Sequence, residues 1–103
     1  MAKRIQRSRR KGWRMPDGAI YVGRPTLYGN PFDTAHAYRE WLLGSEWIIE
    51  TLASTDIRRS NLRERRRKVL EDLPSLKGHD LVCWCPLTTL CHADVLLELL
   101  EEL

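Results

Sequence analysis

The chain has 103 residues, of which 43% are hydrophobic and 30% are charged, and these values are typical of a single globular domain. They exclude a wholly disordered chain, and no apolar run approaches the roughly 20 residues that a membrane-spanning helix needs. The basic N-terminus leads into no apolar secretory segment. Because the three cysteines are an odd number and Cys83 and Cys85 are close neighbours, we expect a reducing, cytoplasmic setting. The lack of a long apolar run predicts no membrane partner.

The net charge of +3 is divided unevenly along the chain. Residues 1–24 contain eight basic side chains and one acidic side chain, whereas residues 25–103 contain nine basic and thirteen acidic side chains. A basic segment on a mildly acidic body attracts polyanions. We predict that residues 1–11 form a flexible basic arm, either a solvated tail or a weak, nonspecific contact for nucleic acid, and that residues 12–103 form one α/β domain.

Two short apolar segments predict the strands of a small sheet. Residues 19–22 are rich in β-forming side chains and follow a Pro-Asp-Gly turn, and residues 80–85 form the second segment. Both are apolar along their length and are separated by helices, which predicts an α/β fold with a short, mostly parallel sheet flanked by helices. With so few strands, we expect the core to be completed in a homo-oligomer.

Four helices are predicted from capping residues and from the helical spacing of apolar side chains. They run from Asp33 or Thr34 to Leu43, from Ser45 through Leu52, from Ser60 to Leu73, and from about Cys91 to Glu102. Thr88 or Thr89 is the expected cap of the last helix. The third helix carries a basic run that we interpret as a solvated face balanced by acids, rather than a phosphate-binding face; its members are Arg63, Arg65, Arg66, Arg67 and Lys68.

The loop after the first strand has residues suited to an anionic ligand. Gly23 and Gly29 allow backbone N–H groups to approach a phosphate. Arg24 offers a guanidinium fork, and Asn30 offers the donor and acceptor that a base or ribose requires. We predict ligand binding for these four residues. Structural roles are expected for Pro25, Pro31 and Phe32.

The second candidate site contains every cysteine of the chain, Cys83, Cys85 and Cys91, beside His92. Cys83 and Cys85 share one face of a strand. Three thiolates and one imidazole make a complete tetrahedral zinc set, which would be a closed structural site. Because adjacent residues such as Cys91 and His92 are awkward co-ligands, we expect less than one zinc per chain and no required cofactor, with zinc kept as an alternative.

Two other interpretations of this segment remain open. Cys91 in the first turn of a helix, with His92 beside it, is a candidate reactive thiol, because a helix N-terminus favours thiolate. Alternatively, the segment lines a pocket in which Trp84 and His92 contact the ligand and Asp94 accepts from its hydroxyl or amine groups. The cysteines would then be buried wall residues. We favour the pocket.

The segments 20–32, IYVGRPTLYGNPF, and 80–97, DLVCWCPLTTLCHADVLL, resemble the domain of unknown function 4326 (DUF4326) family of bacteria and phages. The resemblance covers residues 19–103. It implies an α/β domain whose two motifs meet at the C-terminal ends of neighbouring strands, and it implies no established activity. The occurrence of the family in phages adds the expectation of a role in phage–host conflict.

These observations predict a small cytoplasmic protein that binds a nucleotide or a nucleotide-derived signal between the two motifs. One alternative is an enzyme that acts on a glycosidic or phosphate bond of such a ligand, with Asp94, Cys91 or His92 as the catalytic group. The other is a zinc-stabilised module that binds nucleic acid through the basic arm.

Overall fold

A computed structural model describes residues 2–103 of the chain. In chain order the elements are β1 (Arg4–Gln6), β2 (Ile20–Tyr21), α1 (Ala35–Leu42), α2 (Glu46–Leu52), α3 (Asp56–Asp72), a 3₁₀ turn (Leu73–Leu76), β3 (Leu81–Cys83) and α4 (His92–Glu101). The predicted α/β fold with a short parallel sheet is confirmed. Within the described residues, no helix combines the length and the apolar composition needed to cross a membrane.

The sheet has three parallel strands in the order β1-β3-β2. The central strand, β3, is wholly buried, as expected for a strand that pairs on both edges. Val82 pairs with Ile5 on one side and with Tyr21 on the other. Because all three strands are parallel, their carboxyl ends lie at one edge, where the loop after β2 and the cysteine segment after β3 both begin.

The prediction of a flexible arm over residues 1–11 is wrong for residues 4–6, which form β1. Backbone hydrogen bonds continue the pairing on both sides, from Leu81 N to Lys3 O at 3.0 Å and from Arg7 N to Cys83 O at 2.7 Å. The local sequence shows mainly charge, and only Ile5 is apolar between Lys3 and Arg7. Residues 4–6 pair with the backbone groups along one edge of β3. Because unpaired backbone groups in a buried strand are costly, this pairing stabilises a strand that the charged local sequence does not predict.

The helices follow local signals with two corrections. The first begins as predicted, with Thr34 Oγ1 accepting from Ala37 N at 3.1 Å. The third begins earlier than Ser60, because Thr55 Oγ1 accepts from Arg58 N at 3.1 Å and caps an additional turn. The last helix is capped by Cys91; neither threonine of residues 88–89 does so.

The solvated-face interpretation of the third helix holds for only part of its basic run. Arg63 pairs with Glu46, and Arg67 pairs with Glu64 and Glu71, all at the surface. Two other arginines of the run donate instead to carbonyl groups of neighbouring segments. Arg66 reaches the last turn of α1, and its acceptors are the carbonyl oxygens of Trp41 and Leu42, at 2.9–3.2 Å.

The core lies between the sheet and the helices. Trp41 and Tyr38 of α1 are fully buried, with their ring centroids 5.7 Å apart, and Phe32 meets the Trp41 ring edge-on at 5.6 Å. Trp41 Nε1 donates to Leu62 O at 3.2 Å, which satisfies its polar group inside the core. Phe32 has the structural role predicted for it, and it fixes the end of the loop that follows β2.

Candidate functional site at the carboxyl edge of the sheet

The two sequence motifs meet in one cleft at the carboxyl edge of the sheet. The cleft has a volume of about 360 Å³. The loop after β2 and the start of α1 form one wall, and the segment from β3 to α4 forms the other. The lining residues are Tyr21, Gly23, Arg24, Asn30, Phe32, Asp33, Ala35, Trp84, Cys85, Leu90, Cys91 and His92. Five predicted ligand-binding residues are among them, and two, Gly29 and Asp94, are not.

Arg24 and Asn30 line the cleft and also hold their own loop in shape. Arg24 Nε donates to Asn30 O at 3.0 Å, and its Nη2 donates to Phe32 O at 3.3 Å. The Asn30 amide donates to Thr34 O at 3.0 Å and accepts from Phe32 N at 2.9 Å. Tyr21 Oη donates to Arg24 O at 2.7 Å. The loop is therefore preorganised, and the exposed guanidinium of Arg24 remains at the cleft surface.

Both predicted glycines of this loop are sites of close approach. A Cβ at Gly23 would lie 2.5 Å from Tyr21 Oη, and a Cβ at Gly29 would lie 3.1 Å from Arg24 Cα. Gly29 is buried beneath Arg24 and does not line the cleft. Its smallness is needed for the packing of the loop, a structural need that the ligand-binding prediction did not anticipate.

Arg65 of α3 holds the same loop from below. Its Nε donates to Leu27 O at 3.2 Å, and its Nη2 donates to Thr26 O at 3.3 Å and to Gly29 O at 2.7 Å. Partial burial lowers the pKa of this guanidinium. Because Arg65 stood within a basic run, the sequence could not distinguish it from its solvated neighbours.

The other wall carries an aromatic and cationic group at the mouth of the cleft. The guanidinium carbons of Arg7 and Arg9 lie 5.0 Å and 4.9 Å from the centroid of the Trp84 ring, and that of Arg7 lies 4.7 Å from the Tyr21 ring. These distances are typical of cation–π contacts. Trp84 is 40% exposed. The sequence did not predict that Tyr21, Arg7 and Arg9 would lie at the cleft. The only signal for the two arginines was their alternate spacing after Ile5, which is typical of a strand.

The three cysteines form a compact cluster beneath the cleft. Their sulfur atoms all lie within 4.8 Å of one another, with Cys91 Sγ 2.7 Å from Cys85 Sγ and 3.2 Å from Cys83 Sγ. The contact with Cys83 lowers the pKa of the Cys91 thiol and raises that of Cys83, and burial also raises the pKa of Cys83. Such a cluster could hold a metal ion.

His92 is buried between the cleft and the core. Its Nε2 lies 2.8 Å from Val22 O, so this nitrogen is the donor to that carbonyl. Nδ1 lies 3.4 Å from Cys91 Sγ. The histidine ring meets Tyr38 edge-on at 5.4 Å. His92 does not belong to the group of ligand atoms within 4.8 Å of one another, so three of the four predicted zinc ligands come together.

Asp94 lies outside the cleft lining and has structural partners. Its Oδ2 accepts from Cys91 N at 2.9 Å, which caps the start of α4, and its Oδ1 pairs with Arg4 Nε at 3.2 Å. Arg4 Nη2 also donates to Pro86 O and Thr89 O, at 3.1 Å and 2.8 Å. The predicted contact of Asp94 with a ribose or a base amine would therefore have to displace these bonds.

Arg4 is an unexpectedly buried cation. Its side chain is 7% exposed, and its Nη1 is buried with no hydrogen-bond partner among residues 2–103. Burial lowers the pKa of Arg4, whereas the neighbouring Cys83, Asp94 and Cys91 raise it and prevail. The guanidinium thus lies beside the cysteine cluster, although neither sulfur satisfies the geometry of a hydrogen bond to Nη1.

Comparison with known proteins identifies the family. No curated protein and no solved structure matches the chain. The family described as "Domain of unknown function (DUF4326)" matches residues 5–102, which include most of β1, both motifs and all four helices. The chain therefore belongs to the DUF4326 family.

Proposed function

We propose that the cleft binds a nucleotide or a nucleotide-derived small molecule. The observation that supports this most directly is the convergence of both motifs on one cleft that combines a guanidinium, aromatic faces and amide groups. Phosphate suits the guanidinium fork of Arg24. A base or ribose suits the opposite wall, where Trp84 and Tyr21 are located.

The charge around the cleft favours an anionic ligand. Arg24 also borders an adjoining depression with Arg58 and Arg65, and Arg7 and Arg9 lie at the other end, over Trp84. The acid among the residues that line the cleft is Asp33, which is exposed. Basic side chains outnumber this acid around the cleft, and an excess of one sign of charge on a concave surface concentrates ligands of the opposite sign.

The aromatic wall suits a planar group. Trp84 and Tyr21 border both this cleft and a second depression, which Arg7 and Arg9 also line, so the two form a continuous surface. Guanidinium groups already lie over the Trp84 ring, and a base would stack there by displacing one of them. A displaced arginine would remain available to the phosphate of the same ligand.

Native mass spectrometry of the full-length protein from cell extract would identify a retained ligand, and calorimetry with ribonucleoside mono-, di- and triphosphates would measure affinity. We expect Arg24→Ala to weaken binding roughly 10- to 150-fold, from the loss of a charge-assisted contact. Arg63→Ala is the matched control, since that arginine is exposed and pairs with Glu46 away from the cleft. Equal affinities of the two variants would contradict the proposal.

Because Arg24 also donates to loop carbonyls, Arg24→Ala could act by loosening the loop. Thermal unfolding of the apoprotein separates the two effects: a lost ligand contact leaves the melting temperature near that of the wild type. Arg24→Lys, which keeps the charge, should retain more affinity than Arg24→Ala if the contact is electrostatic.

Two alternatives have specific support. An enzyme is favoured by Cys91 and His92, which line the cleft with Nδ1 3.4 Å from Sγ; turnover of the retained ligand, followed by chromatography, would distinguish enzyme from binder. Zinc is favoured by the cysteine cluster, where three sulfurs converge.

We also propose a reducing, cytoplasmic location, which agrees with three free thiols. We propose self-association as well, because four large apolar side chains are exposed: Leu43, Trp47, Leu52 and Ile57.

A further inference from the structure

We propose that Cys83, Cys85 and Cys91 bind one zinc ion through three thiolates, and that the fourth coordination position opens into the cleft. This site differs from the closed Cys₃His site considered from the sequence, because the histidine is not a ligand. It does not depend on the nucleotide proposal, since a metal can bind whatever ligand the cleft accepts.

The cysteine geometry fits a tetrahedral metal after a small expansion. Zinc–sulfur bonds of about 2.3 Å place the sulfurs of a tetrahedral site about 3.8 Å apart. The two short separations, 2.7 Å and 3.2 Å, must therefore open by roughly 0.5–1 Å. Cys85 can open the shorter separation, since it follows the end of β3 in a segment without regular structure. Because Cys83 is fixed in the central strand, the Cys83–Cys91 separation must open by rotation of the Cys91 side chain, at the residue that precedes α4.

The fourth position is left open by the placement of His92. Its Nε2 is held by Val22 O, and its Nδ1, although 3.4 Å from Cys91 Sγ, does not lie within 4.8 Å of all three sulfurs. Within residues 2–103, no other group of three metal-ligating side chains has its ligand atoms so close together. Cys85 and Cys91 both line the cleft, so a metal on these sulfurs would be accessible from that side.

Arg4 is the second, independent indication of a charged sulfur cluster. It carries a buried Nη1 without a hydrogen-bond partner in the described chain, beside Cys83 and Cys91. Leaving a buried charged donor without a partner is costly, and negative charge on the neighbouring sulfurs would lower that cost through electrostatic attraction. Three thiolates around Zn²⁺ carry a net charge of −1, which the guanidinium would stabilise.

Three protein ligands with one open position is the arrangement of catalytic zinc sites. Water would fill the position in the resting protein, and an anionic oxygen of a cleft ligand could replace it. Zinc bound in this way would supply a Lewis acid for a phosphoryl or carbonyl oxygen of a cleft ligand. The expectation of less than one zinc per chain depended on adjacent Cys91 and His92 as co-ligands, and the open site removes that objection.

The test uses the full chain, purified under reducing conditions and reconstituted with zinc or cobalt(II). We expect about one metal per chain by elemental analysis, and thiolate-to-cobalt charge-transfer absorption. Cys85→Ala should lose the metal, whereas Leu87→Ala, an exposed change in the same segment, should keep it. A folded, reduced wild-type protein that takes up neither metal would overturn the proposal, with circular dichroism confirming the fold.

The open fourth coordination position can be tested separately from metal binding, through the visible spectrum of the cobalt protein. Inorganic phosphate or imidazole added to the cobalt protein should shift its visible d–d bands, because each can enter the fourth position. His92→Gln, whose side-chain amide can still donate to Val22 O, should retain the metal and the response. Loss of the metal in a His92→Gln protein that circular dichroism shows to be folded, or bands that respond to neither probe, would show a closed four-ligand site and refute the open position.

Discussion

Replacing Arg65 by alanine should destabilise the protein more than replacing the solvated arginines of the basic run of α3. Its guanidinium donates three hydrogen bonds to carbonyl groups of the loop after β2, the shortest being 2.7 Å to Gly29 O. A hydrogen bond to a charged group contributes about 1.5–3 kcal/mol, but three bonds from one partly exposed group do not add fully. We therefore expect a loss of about 2–3 kcal/mol in the free energy of unfolding.

Thermal unfolding followed by circular dichroism measures this loss. For a domain of this size, each kcal/mol lowers the melting temperature by roughly 4–8 °C, so Arg65→Ala should melt roughly 10–20 °C below the wild type. Arg67→Ala is the control: it makes the same chemical change on the same helix but removes only exposed ion pairs with Glu64 and Glu71. Equal melting temperatures for the two variants would refute the assignment of Arg65 as a clamp on the loop.

Three further predictions concern the core, alkaline pH and the N-terminus. Tyr38→Phe should cost about 1–2 kcal/mol in urea unfolding, because it leaves a buried carbonyl without its 2.8 Å hydrogen bond, and more than Tyr21→Phe at the surface. Burial and a hydrogen bond to Asp72 raise the pKa of Tyr28 to about 12. Its contribution to the free energy of unfolding is therefore complete below about pH 10 and is lost as the pH rises towards about 12. In Tyr28→Phe, the free energy of unfolding should decrease less between about pH 10 and about pH 12 than in the wild type. Deleting residues 2–7 should lower the melting temperature sharply, since it removes β1; an unchanged melting temperature would mean that β1 is dispensable.

Local signals predicted the parts of the fold that depend on local physics. Thr34 caps α1 because the first turn of a helix leaves N–H groups unpaired, a need that the sequence shows directly. Thr55 and Ser60 carry the same kind of signal, and the sequence offers no way to rank them when the residues between them are all compatible with helix. The start of α3 was therefore misplaced by one turn.

The candidate site was predicted to the extent that parallel topology dictates it. Two strands that pair in parallel bring the segments after them to the same edge, so the convergence of Arg24 and Asn30 with Trp84 and His92 could be expected from the sequence. The partners of individual side chains could not. Asp94 has the same chemistry whether it contacts a ligand or an arginine, and only the fold places Arg4 beside it.

The placement of β1 changes how the basic N-terminus must be interpreted. Arg4 lies buried beside the cysteine cluster, and Arg7 and Arg9 lie over the Trp84 ring at the cleft mouth. These three cations thus lie at the candidate site, and any contact of the N-terminus with nucleic acid would be made next to it. Deleting residues 1–11 would disturb the sheet, the cysteine cluster and the cleft together, so it cannot isolate a contribution to nucleic-acid binding.

Arg10 and Lys11 are exposed and lie outside β1, so replacing them tests nucleic-acid binding by the N-terminus separately from its role in the sheet and the cleft. If the N-terminus binds nucleic acid weakly and without sequence preference, replacing both by alanine should reduce the affinity for a DNA duplex and the slope of that affinity against salt concentration, because fewer counterions are released. The melting temperature and binding in the cleft should be unchanged, since neither residue lines the cleft. Unaltered DNA binding in a gel-shift titration would show that these two charges do not contact DNA.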